Sequence, residues 1–537
     1  HADVAIRNKK VSLFTSLTFS DFDHLKTGNR RTSKFPDYGK RFQYVQSING
    51  QDRVVENPDY NRQVYSGYHQ LNLLNKISLR IGNYADVSYS INYSTTSDVP
   101  RYDRLLETDE NGNFKSAEWY YKPQNWLSNS IQFNFYRQNA LYDQARITLA
   151  YQKIQEGLNN RDYGHDWLRS RREKVDVLTA NIDLERELDE KNILFYGVEW
   201  FHNNVDSKAQ SSNIFSGETR ALTPRYPEGG SRYSGLAGYI SHKWRPNSKL
   251  ALTSGVRYNR TWLESQYTTG EIESNHGAIN GSVGIAWLPT SSWQINGMIS
   301  SGFRAPNVDD VSKIFDGANS VVAVPNPELK PEYSYNAEIS LTRSLEDRLQ
   351  VSATAYYTIL DHALVFDNLS FRGMDSLYFD GELSKTQGLT NTSSANIYGG
   401  NFQLEVALTS DLVFRGSFTI TRGEDDKNRP LRHTTPNFGL LRLLYKRNQF
   451  QGEINYQFSG KRDFEDLPLS EQQKTHLYTS DGSLAWQTLN LMGSYHFTRS
   501  ITFTLGVENI FDQHYRPYSS GISASGRNFM VSISASW

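Results

Sequence analysis

Apolar and polar residues alternate over long stretches of this sequence, and this pattern restricts the fold more than any other feature. It recurs in residues 11–19, 87–94, 145–152, 349–357 and 501–508. Successive side chains of a β-strand point to opposite faces of the sheet, so a period of two residues gives each strand one apolar and one polar face. A period of 3.6 residues, which would indicate amphipathic helices, is almost absent. The sequence therefore predicts an all-β protein.

The length of the predicted strands separates a membrane barrel from a soluble β-sandwich or propeller, which would show the same alternation. Many alternating segments run for about 12–16 residues, whereas strands in soluble sheets usually have about five or six. A tilted strand needs about 9–11 residues to cross a bilayer. Short turns at 7–9, 246–248, 289–291, 447–449 and 498–500 alternate with loops of roughly ten to forty residues. This rhythm predicts a transmembrane antiparallel β-barrel.

The composition supports this prediction and excludes other classes. A mean hydropathy of −0.62 fits a barrel whose inner face contacts water. No run approaches the ~18 apolar residues of a membrane-spanning helix. The chain has no cysteine, which excludes disulfides and thiolate metal sites. Its 57 Lys+Arg against 58 Asp+Glu lack the basic excess typical of nucleic-acid binders.

Aromatic residues make up 13% of the chain, and several tryptophans fall near the ends of predicted strands. Amphipathic rings favour the interface between membrane and water. We therefore expect this zone to contain Trp126, Trp244, Trp262, Trp287, Trp293 and Trp486.

The number of predicted strands does not close a barrel. Reading from turn to turn gives about 21 strand-like segments, whereas single-chain bacterial barrels normally have an even number. If the long loops are extracellular, the first segment, 2–6, and the last, 529–537, would meet as parallel neighbours. One further strand before His1 would give about 22 strands and remove an open edge that cannot face lipid. We therefore expect residues 1–537 to be a barrel fragment without its first strand.

A barrel of about 22 strands encloses a wide lumen, and barrels of this size are plugged. The sequence contains no globular segment of the ~130 residues that a plug would need. We expect the N-terminal plug to lie in a segment outside this sequence.

Short motifs then resemble one family of outer-membrane barrels. Residues 302–307 read GFRAPN and residues 326–332 read NPELKPE, and they resemble the paired FRAP and NPxL boxes of the TonB-dependent outer-membrane receptors. The box residues are Phe303, Arg304, Ala305, Pro306, Asn326, Pro327, Glu328 and Leu329. Residues 506–512, 515–518 and 526–529 are similar to the family's last two strands, and 430–433 with Pro436 resembles a recurrent loop-to-strand entry. Residues 100–105 look like a feature of the haemoglobin/transferrin/lactoferrin receptor branch.

The resemblance implies active import across the bacterial outer membrane, driven by the TonB–ExbB–ExbD complex through the plug segment. The implied cargo is an iron complex, either a ferric siderophore or haem, with no intrinsic cofactor or metal. Expected partners also include outer-membrane lipid and lipopolysaccharide, and a surface lipoprotein or a host protein is a further candidate; no nucleic acid is expected. Import of another nutrient such as cobalamin, and a passive or accessory barrel closed by a partner protein, stay open. No motif predicts an enzyme.

Candidate ligand-binding residues are the arginines, aromatics and histidines of the predicted outer loops. Arginine and aromatic side chains suit a planar anionic ligand, and histidine or tyrosine can ligate haem. The candidates are Arg101, Tyr102, Arg104, His165, Trp167, Arg304, His362 and His433, and the wider set includes Arg161, Arg169, Arg220, Arg225 and His476.

Structural alternatives apply to all of these candidates. The proline of the first box ends a strand ladder because it lacks an amide donor, so Arg304 has an alternative role in loop packing. A loop arginine can be part of an ordinary solvated surface or bind a lipid phosphate. In the resembling haem receptors a histidine lies between the two boxes, and residues 307–325 contain none, which weakens the haem interpretation.

Overall fold

The computed structural model describes residues 1–536 except 110, 268–269, 317–320, 347 and 473–476. Two α-helices are present in this part of the chain, α1 (Val308–Ser312) and α2 (Leu469–Gln472), with 3-10 turns at Arg104–Leu106 and Phe464–Asp466. None of the described helices has the length and apolarity needed to span a membrane.

The remaining regular structure is β-strand. The first strands are β1 (Ala2–Arg7), β2 (Val11–Phe22), β3 (Gln43–Ile48), β4 (Gln51–Glu56), β5 (Tyr68–Ile81), β6 (Ala85–Thr96), β7 (Val99–Pro100), β8 (Ser116–Tyr121), β9 (Asn125–Phe135) and β10 (Gln144–Asp162). Next come β11 (Trp167–Asp189), β12 (Asn192–Asn213), β13 (Thr219–Ala221), β14 (Ser231–Asn247), β15 (Leu250–Tyr267), β16 (Gly270–Thr290), β17 (Trp293–Arg304), β18 (Phe315–Asp316), β19 (Val321–Ala323) and β20 (Glu332–Leu345). The last are β21 (Leu349–Asp361), β22 (Leu364–Asn368), β23 (Ser376–Phe379), β24 (Glu382–Asn391), β25 (Ser394–Ala407), β26 (Leu412–Asp425), β27 (Phe438–Arg447), β28 (Phe450–Ser459), β29 (Trp486–His496), β30 (Ile501–Glu508) and β31 (Asn528–Ala535).

One large antiparallel sheet forms the wall of the molecule. It contains 24 strands, of which β7, β8 and β13 are short extensions, and the other 21 form the wall. Each wall strand pairs with its neighbours in sequence, for example β5 with β6, β6 with β9, and β9 with β10. The structure thus confirms the predicted all-β antiparallel barrel architecture and the number of strand-like segments read from the sequence.

The two ends of the wall differ in the length of their connections. One end, which we call the turn rim, carries short turns at 8–10, 82–84, 190–191, 248–249 and 448–449. The opposite end, the loop rim, carries long connections that include 23–67, 97–124, 305–331, 362–393 and 460–485. Short turns on one side and long loops on the other are the pattern of outer-membrane barrels, in which the loops are extracellular.

The two edge strands of the wall run in the same direction. β1 leads into the turn rim, and β31 comes down from the loop rim to the same end. In the described part of the chain β1 pairs with β2, β31 pairs with β30, and the two edges are not paired with each other. Apolar side chains along both edges are exposed, including Ile6 at 61% and Ile533 at 72%. The further strand expected between them stays a prediction.

The outward face of the wall carries an apolar band with a clear upper end in β10, β11 and β12. Outward side chains of these strands are apolar up to Tyr151, Leu178 and Trp200. The outward positions that follow toward the loop rim are polar, as at Lys153 and Asp176. Because all three strands continue past the band, their upper parts lie outside the membrane-spanning segments.

The predicted interface tryptophans divide between the two faces of the wall. Four have the outward register: Trp244, Trp262, Trp287 and Trp293. Trp126 has the inward register and its Nε1 donates to Gln152 Oε1 at 3.0 Å. Trp486 also has the inward register and packs against Tyr515 with 4.5 Å between ring centroids. The interface prediction is wrong for these two because proximity to a strand end does not determine which face a side chain occupies.

Candidate ligand-binding vestibule

The long connections pack on one another at the loop rim, and we call them, with the strand ends they touch, the vestibule. Apolar clusters hold them together. In one cluster Leu263 of β15 is buried with Val308 and Val311 of α1. In another, Val322 and Phe379 bring β19 and β23 together. Since burying apolar area is the main favourable force between such segments, the vestibule has a defined shape.

The first predicted box forms a self-contained turn. Arg304 Nη2 lies 2.8 Å from both carboxylate oxygens of Asp310. Asn307 caps α1 by accepting a hydrogen bond from the Asp310 backbone N–H at 3.1 Å, and the Asp310 carboxylate accepts from the Asn307 N–H at 3.0 Å. This reciprocal arrangement is a capping box. Ala305 and Pro306 are buried beneath it, so the box residues shape the connection.

The second predicted box packs beside the first. Leu329 is 4% exposed and belongs to the cluster that contains α1. Asn326 Nδ2 donates to the Leu389 carbonyl at 2.8 Å, and its Oδ1 accepts from the Glu328 N–H at 3.1 Å. Pro327 is exposed, and Phe303 of the first box packs against Tyr333 at 5.4 Å between ring centroids. The fold therefore brings the two boxes together.

The predicted cluster at residues 101–104 is occupied by protein partners. Arg101 makes two hydrogen bonds to Asp103, at 2.7 and 2.6 Å, and its guanidinium lies 5.4 Å from the Trp119 ring. Tyr102 is 3% exposed, its hydroxyl accepts from the Ser523 N–H at 2.9 Å, and burial raises its pKa to about 12. Arg104 pairs with Glu107 at 2.7 Å. In this conformation these residues hold the vestibule together.

The predicted histidines lie on separate connections. His165 is exposed in the turn at 163–166, and its carbonyl accepts from Arg161 Nη1 at 2.8 Å. His362 adopts a left-handed backbone with φ of 55°. His433 Nδ1 lies 3.0 Å from Ser519 Oγ, and His476 lies outside the described residues. No group of three or more His, Cys, Asp or Glu side chains in the described part of the chain is arranged to bind a metal ion.

The predicted loop arginines are matched by acidic residues that sequence reasoning did not pair with them. Arg161 lies 2.7 Å from Asp52 and 2.8 Å from Glu118. Arg171, which the sequence did not point to, bonds both oxygens of Asp380 at 2.7 Å, and the predicted Arg169 also contacts Asp380. Asp52 and Asp380 lie at or beside the tips of the β3–β4 and β23–β24 hairpins. The β3–β4 hairpin therefore packs on the rim end of β10 through Asp52, whose side chain is 3% exposed, and the β23–β24 hairpin packs on the rim end of β11 through Asp380, which is 14% exposed.

Two further predicted residues form an exposed stack. The Arg220 guanidinium lies 3.7 Å from the centre of the Trp167 ring and pairs with Glu218 at 3.1 Å. A planar cation on an indole ring leaves one face of the guanidinium open to a flat ligand.

A partly exposed charge network links α1, which follows the first box, to the wall. Arg225 lies 3.6 Å from Glu156 and 3.4 Å from Asp309 of α1, and the Tyr226 hydroxyl donates to Asp309 at 2.7 Å. Glu173, above the apolar band on β11, is 4% exposed. Burial raises the pKa of its carboxyl to about 7. The charge of this network therefore changes near neutral pH.

A wide antiparallel wall with an outward apolar band, a polar inner face and interlocked loops at one rim defines a large transmembrane barrel of the bacterial outer membrane. The family model described as "TonB dependent receptor-like, beta-barrel" matches residues 14–510. The chain belongs to this family, whose members are receptors and transporters of the outer membrane.

Relatives and solved structures agree with this assignment. The chain is 23% identical over 424 residues to the "Iron-regulated outer membrane virulence protein" of Vibrio cholerae, covering 74% of this chain and 57% of that protein. It is 22% identical over 387 residues to the "Heme/hemopexin utilization protein C" of Haemophilus influenzae, covering 67% and 51%. The chain thus spans about half the length of these curated relatives. The solved structure of "Copper transporter OprC" has the same fold, with a TM-score of 0.77 at 14% identity, covering 100% of this chain and 77% of that one.

Proposed function

We propose that the protein containing this barrel imports an iron complex, haem or a ferric siderophore, across the outer membrane. The observation that carries the proposal is a polar-lined wall of 21 strands in a chain that belongs to the TonB-dependent receptor family. Among its relatives, one is named for iron regulation and another for haem utilisation, which favours an iron cargo over cobalamin.

Within the vestibule we assign two roles to the predicted residues. We assign the ligand contacts to His165, His362 and His433, because histidine is a common axial ligand of haem iron and these side chains are exposed at the vestibule. Trp167 with its stacked arginine supports a planar ring.

The other predicted residues hold the vestibule in shape. Arg101, Tyr102, Arg104 and Arg304 already make hydrogen bonds or ion pairs within the protein. They therefore position the connections around the ligand rather than bind it.

Transport against a gradient requires a closed lumen and an energy source. In the proposed mechanism a plug closes the barrel, and the TonB–ExbB–ExbD complex acts on the plug after ligand has bound in the vestibule. A host haem protein or a surface lipoprotein is the proposed external partner, since a relative carries haemopexin in its name.

Growth of a deletion strain tests the proposal. The strain is supplied with haem, a ferric siderophore or no iron source, and separately with cobalamin as the limiting nutrient. We expect deletion to abolish growth on one iron complex and to leave growth on cobalamin unchanged. Complementation by the intact gene should restore growth, and a TonB-deficient background should prevent this rescue. Unchanged growth on every source would refute iron import, and a TonB-independent rescue would favour a passive or accessory barrel.

The role of the histidines is tested separately. Single His165→Ala, His362→Ala and His433→Ala receptors are compared for haem binding by absorbance. At least one should lose the Soret shift of the bound haem, whereas His69→Ala, an exposed histidine of β5, should retain it. Retention by all three variants would refute histidine ligation.

A further inference from the structure

A row of cations crosses the outward face of the wall above the apolar band. The backbone N–H of Lys122 donates to the Gly157 carbonyl at 2.8 Å. Gly157 of β10 is directly opposite Arg172 of β11, and Arg172 is directly opposite Lys208 of β12. The three cations therefore occupy one continuous row across neighbouring segments, on the side that faces away from the lumen.

The row lines a groove on the outer surface. Gly157 has no side chain, and Lys122 lies across it, with its Cβ 3.2 Å from the position a β-carbon of Gly157 would take. The groove has a cavity volume of about 460 Å³. Besides the cations it is lined by Gln155, Ser170 and Gln210, which have amide and hydroxyl side chains, and by Glu156, whose carboxylate lies 3.6 Å from Arg225. Its size and polarity suit a saccharide with anionic substituents.

The protein balances the charge of this row only weakly: among the described residues Arg172 Nη2 donates to the neutral amide oxygen of Gln155 at 2.5 Å. Like charges directly opposite each other on a sheet are destabilising, yet Arg172 and Lys208 form such a pair. In the described part of the chain Lys122 and Arg172 make no ion pair, and Lys208, with its side chain 79% exposed, reaches Asp206 only at 4.0 Å. One row closer to the membrane, Lys174 is paired with Asp176 at 2.7 Å. The positive charge of the upper row is therefore available to attract an external anion.

The height of the row identifies the source of that anion. Arg172 is six residues beyond Leu178 on β11, the last apolar outward position. At about 3.3 Å per residue and a strand tilt of about 40°, the row lies roughly 15 Å above the apolar band. Lipid acyl chains and their esters end below this level, and the sugars of an outer-leaflet glycolipid reach it.

We propose that the groove around Lys122, Arg172 and Lys208 binds the phosphate- or carboxylate-bearing sugars of lipopolysaccharide. The cations hold the anionic substituents, and the amide and hydroxyl groups bind the sugar. Because the groove faces away from the lumen, this contact anchors the barrel in its leaflet and lies outside the path of the transported ligand.

Binding of defined glycolipids by the delipidated, detergent-solubilised receptor tests this site. The probes are lipopolysaccharide with a phosphorylated inner core, the same molecule after dephosphorylation, and inorganic phosphate. The test variant is Lys122→Gln with Arg172→Gln and Lys208→Gln. The control carries the same charge change at the turn rim, by Lys9→Gln, Lys249→Gln and Lys446→Gln. Heat-modifiable gel migration shows that each variant is folded.

We expect the test variant to bind the phosphorylated glycolipid at least tenfold more weakly than the wild type, and the control to bind it unchanged. Removing the phosphates should abolish most of the difference between test variant and wild type. Lys208→Gln alone, at an exposed position, should weaken binding by a smaller factor. Equal binding by the wild type and the test variant would overturn the proposal. Binding of inorganic phosphate as tightly as the glycolipid would also overturn it and would indicate a free-anion site.

Discussion

Asp52, beside the tip of the β3–β4 hairpin, accepts hydrogen bonds from both terminal nitrogens of Arg161, at 2.7 and 2.8 Å. Each of these two side chains is only 3% exposed. This pair is costly to break, because the buried guanidinium loses one of its two carboxylate partners away from water. The first long connection is therefore fastened to the rim end of β10 by one ion pair.

Removing this fastening should release the hairpin. Asp52→Asn leaves Arg161 with Glu118, 2.8 Å away, as its remaining counter-charge, so the loss is smaller than the about 3–5 kcal/mol of a buried charge left without any partner. We expect faster amide hydrogen exchange at residues 43–56 and unchanged exchange in β20 and β21. Asp206→Asn, at a side chain 55% exposed, is the matched control. Equal exchange in the two variants would contradict a fastening role.

The second hairpin should respond to its own acid. Asp380, in the turn between β23 and β24, pairs with Arg171, and Asp380→Asn removes this attraction while keeping the size of the side chain. We expect faster exchange at residues 376–391 with no change at 43–56, because the two hairpins hold different arginines. A variant that loosened both hairpins would show that they move as one unit.

The packing of the second box predicts a stability effect. Leu329→Ala should destabilise the vestibule by about 2–5 kcal/mol, because Leu329 is 4% exposed between α1 and β15. The measurement is the free energy of local opening from amide exchange at 305–331. Leu408→Ala, at a side chain 54% exposed, should change it by less than about 0.5 kcal/mol.

The raised pKa of Glu173 predicts that folding stability depends on pH. Its pKa in the folded protein is about 7, against an ordinary 4.5, so the folded state binds the proton more tightly than the unfolded state. The free energy of unfolding therefore falls as the pH rises from 4.5 to about 7. Above pH 7 the charged carboxyl destabilises the folded state by about 3 kcal/mol. Glu173→Gln should make exchange at 169–176 slower at pH 8 and leave it nearly unchanged at pH 5. Equal effects at both pH values would contradict the assignment.

The close approach of Gly39 to His514 predicts that a larger side chain at position 39 would clash with a distant connection. Its φ is +74°, and a β-carbon there would lie 2.2 Å from Nε2 of His514, whose pKa burial lowers to about 3. We expect Gly39→Ala to weaken the packing between the connections 23–67 and 509–527. Amide hydrogen exchange should then be faster in both. Gly164→Ala is a close control, because Gly164 has φ of +73° but no heavy atom within 4 Å of its added carbon. Similar effects of both variants would indicate backbone strain alone.

Much of the wall could be predicted from the sequence because the information is local. Alternation within residues 87–94 or 349–357 sets which side chains face lipid and which face the lumen, whatever the rest of the chain does. Turn lengths then order the strands, because a short turn forces neighbours to pair antiparallel. The motifs around Arg304 and Leu329 indicate the family from the sequence alone, because each motif consists of a few consecutive residues.

The vestibule could be predicted only in part. The sequence pointed to Arg101, Arg161 and Arg169 as rim cations but did not show that Asp103, Asp52 and Asp380 neutralise them in this conformation. The position of Trp126 near a strand end predicts the membrane interface, whereas the strand register places its side chain on the inward face. No local pattern distinguishes a solvated loop arginine from one that is buried against an acid.

The sequence by itself determined the barrel, its strand number and its family, because a period of two residues and the length of a turn act between near neighbours. Only the tertiary structure decided which charges meet: Asp52 and Arg161 are 109 residues apart, and Tyr102 and Ser523 are 421 apart. The physical reason is that ion pairs and burial depend on distances in space, and folding places residues side by side that are far apart along the chain.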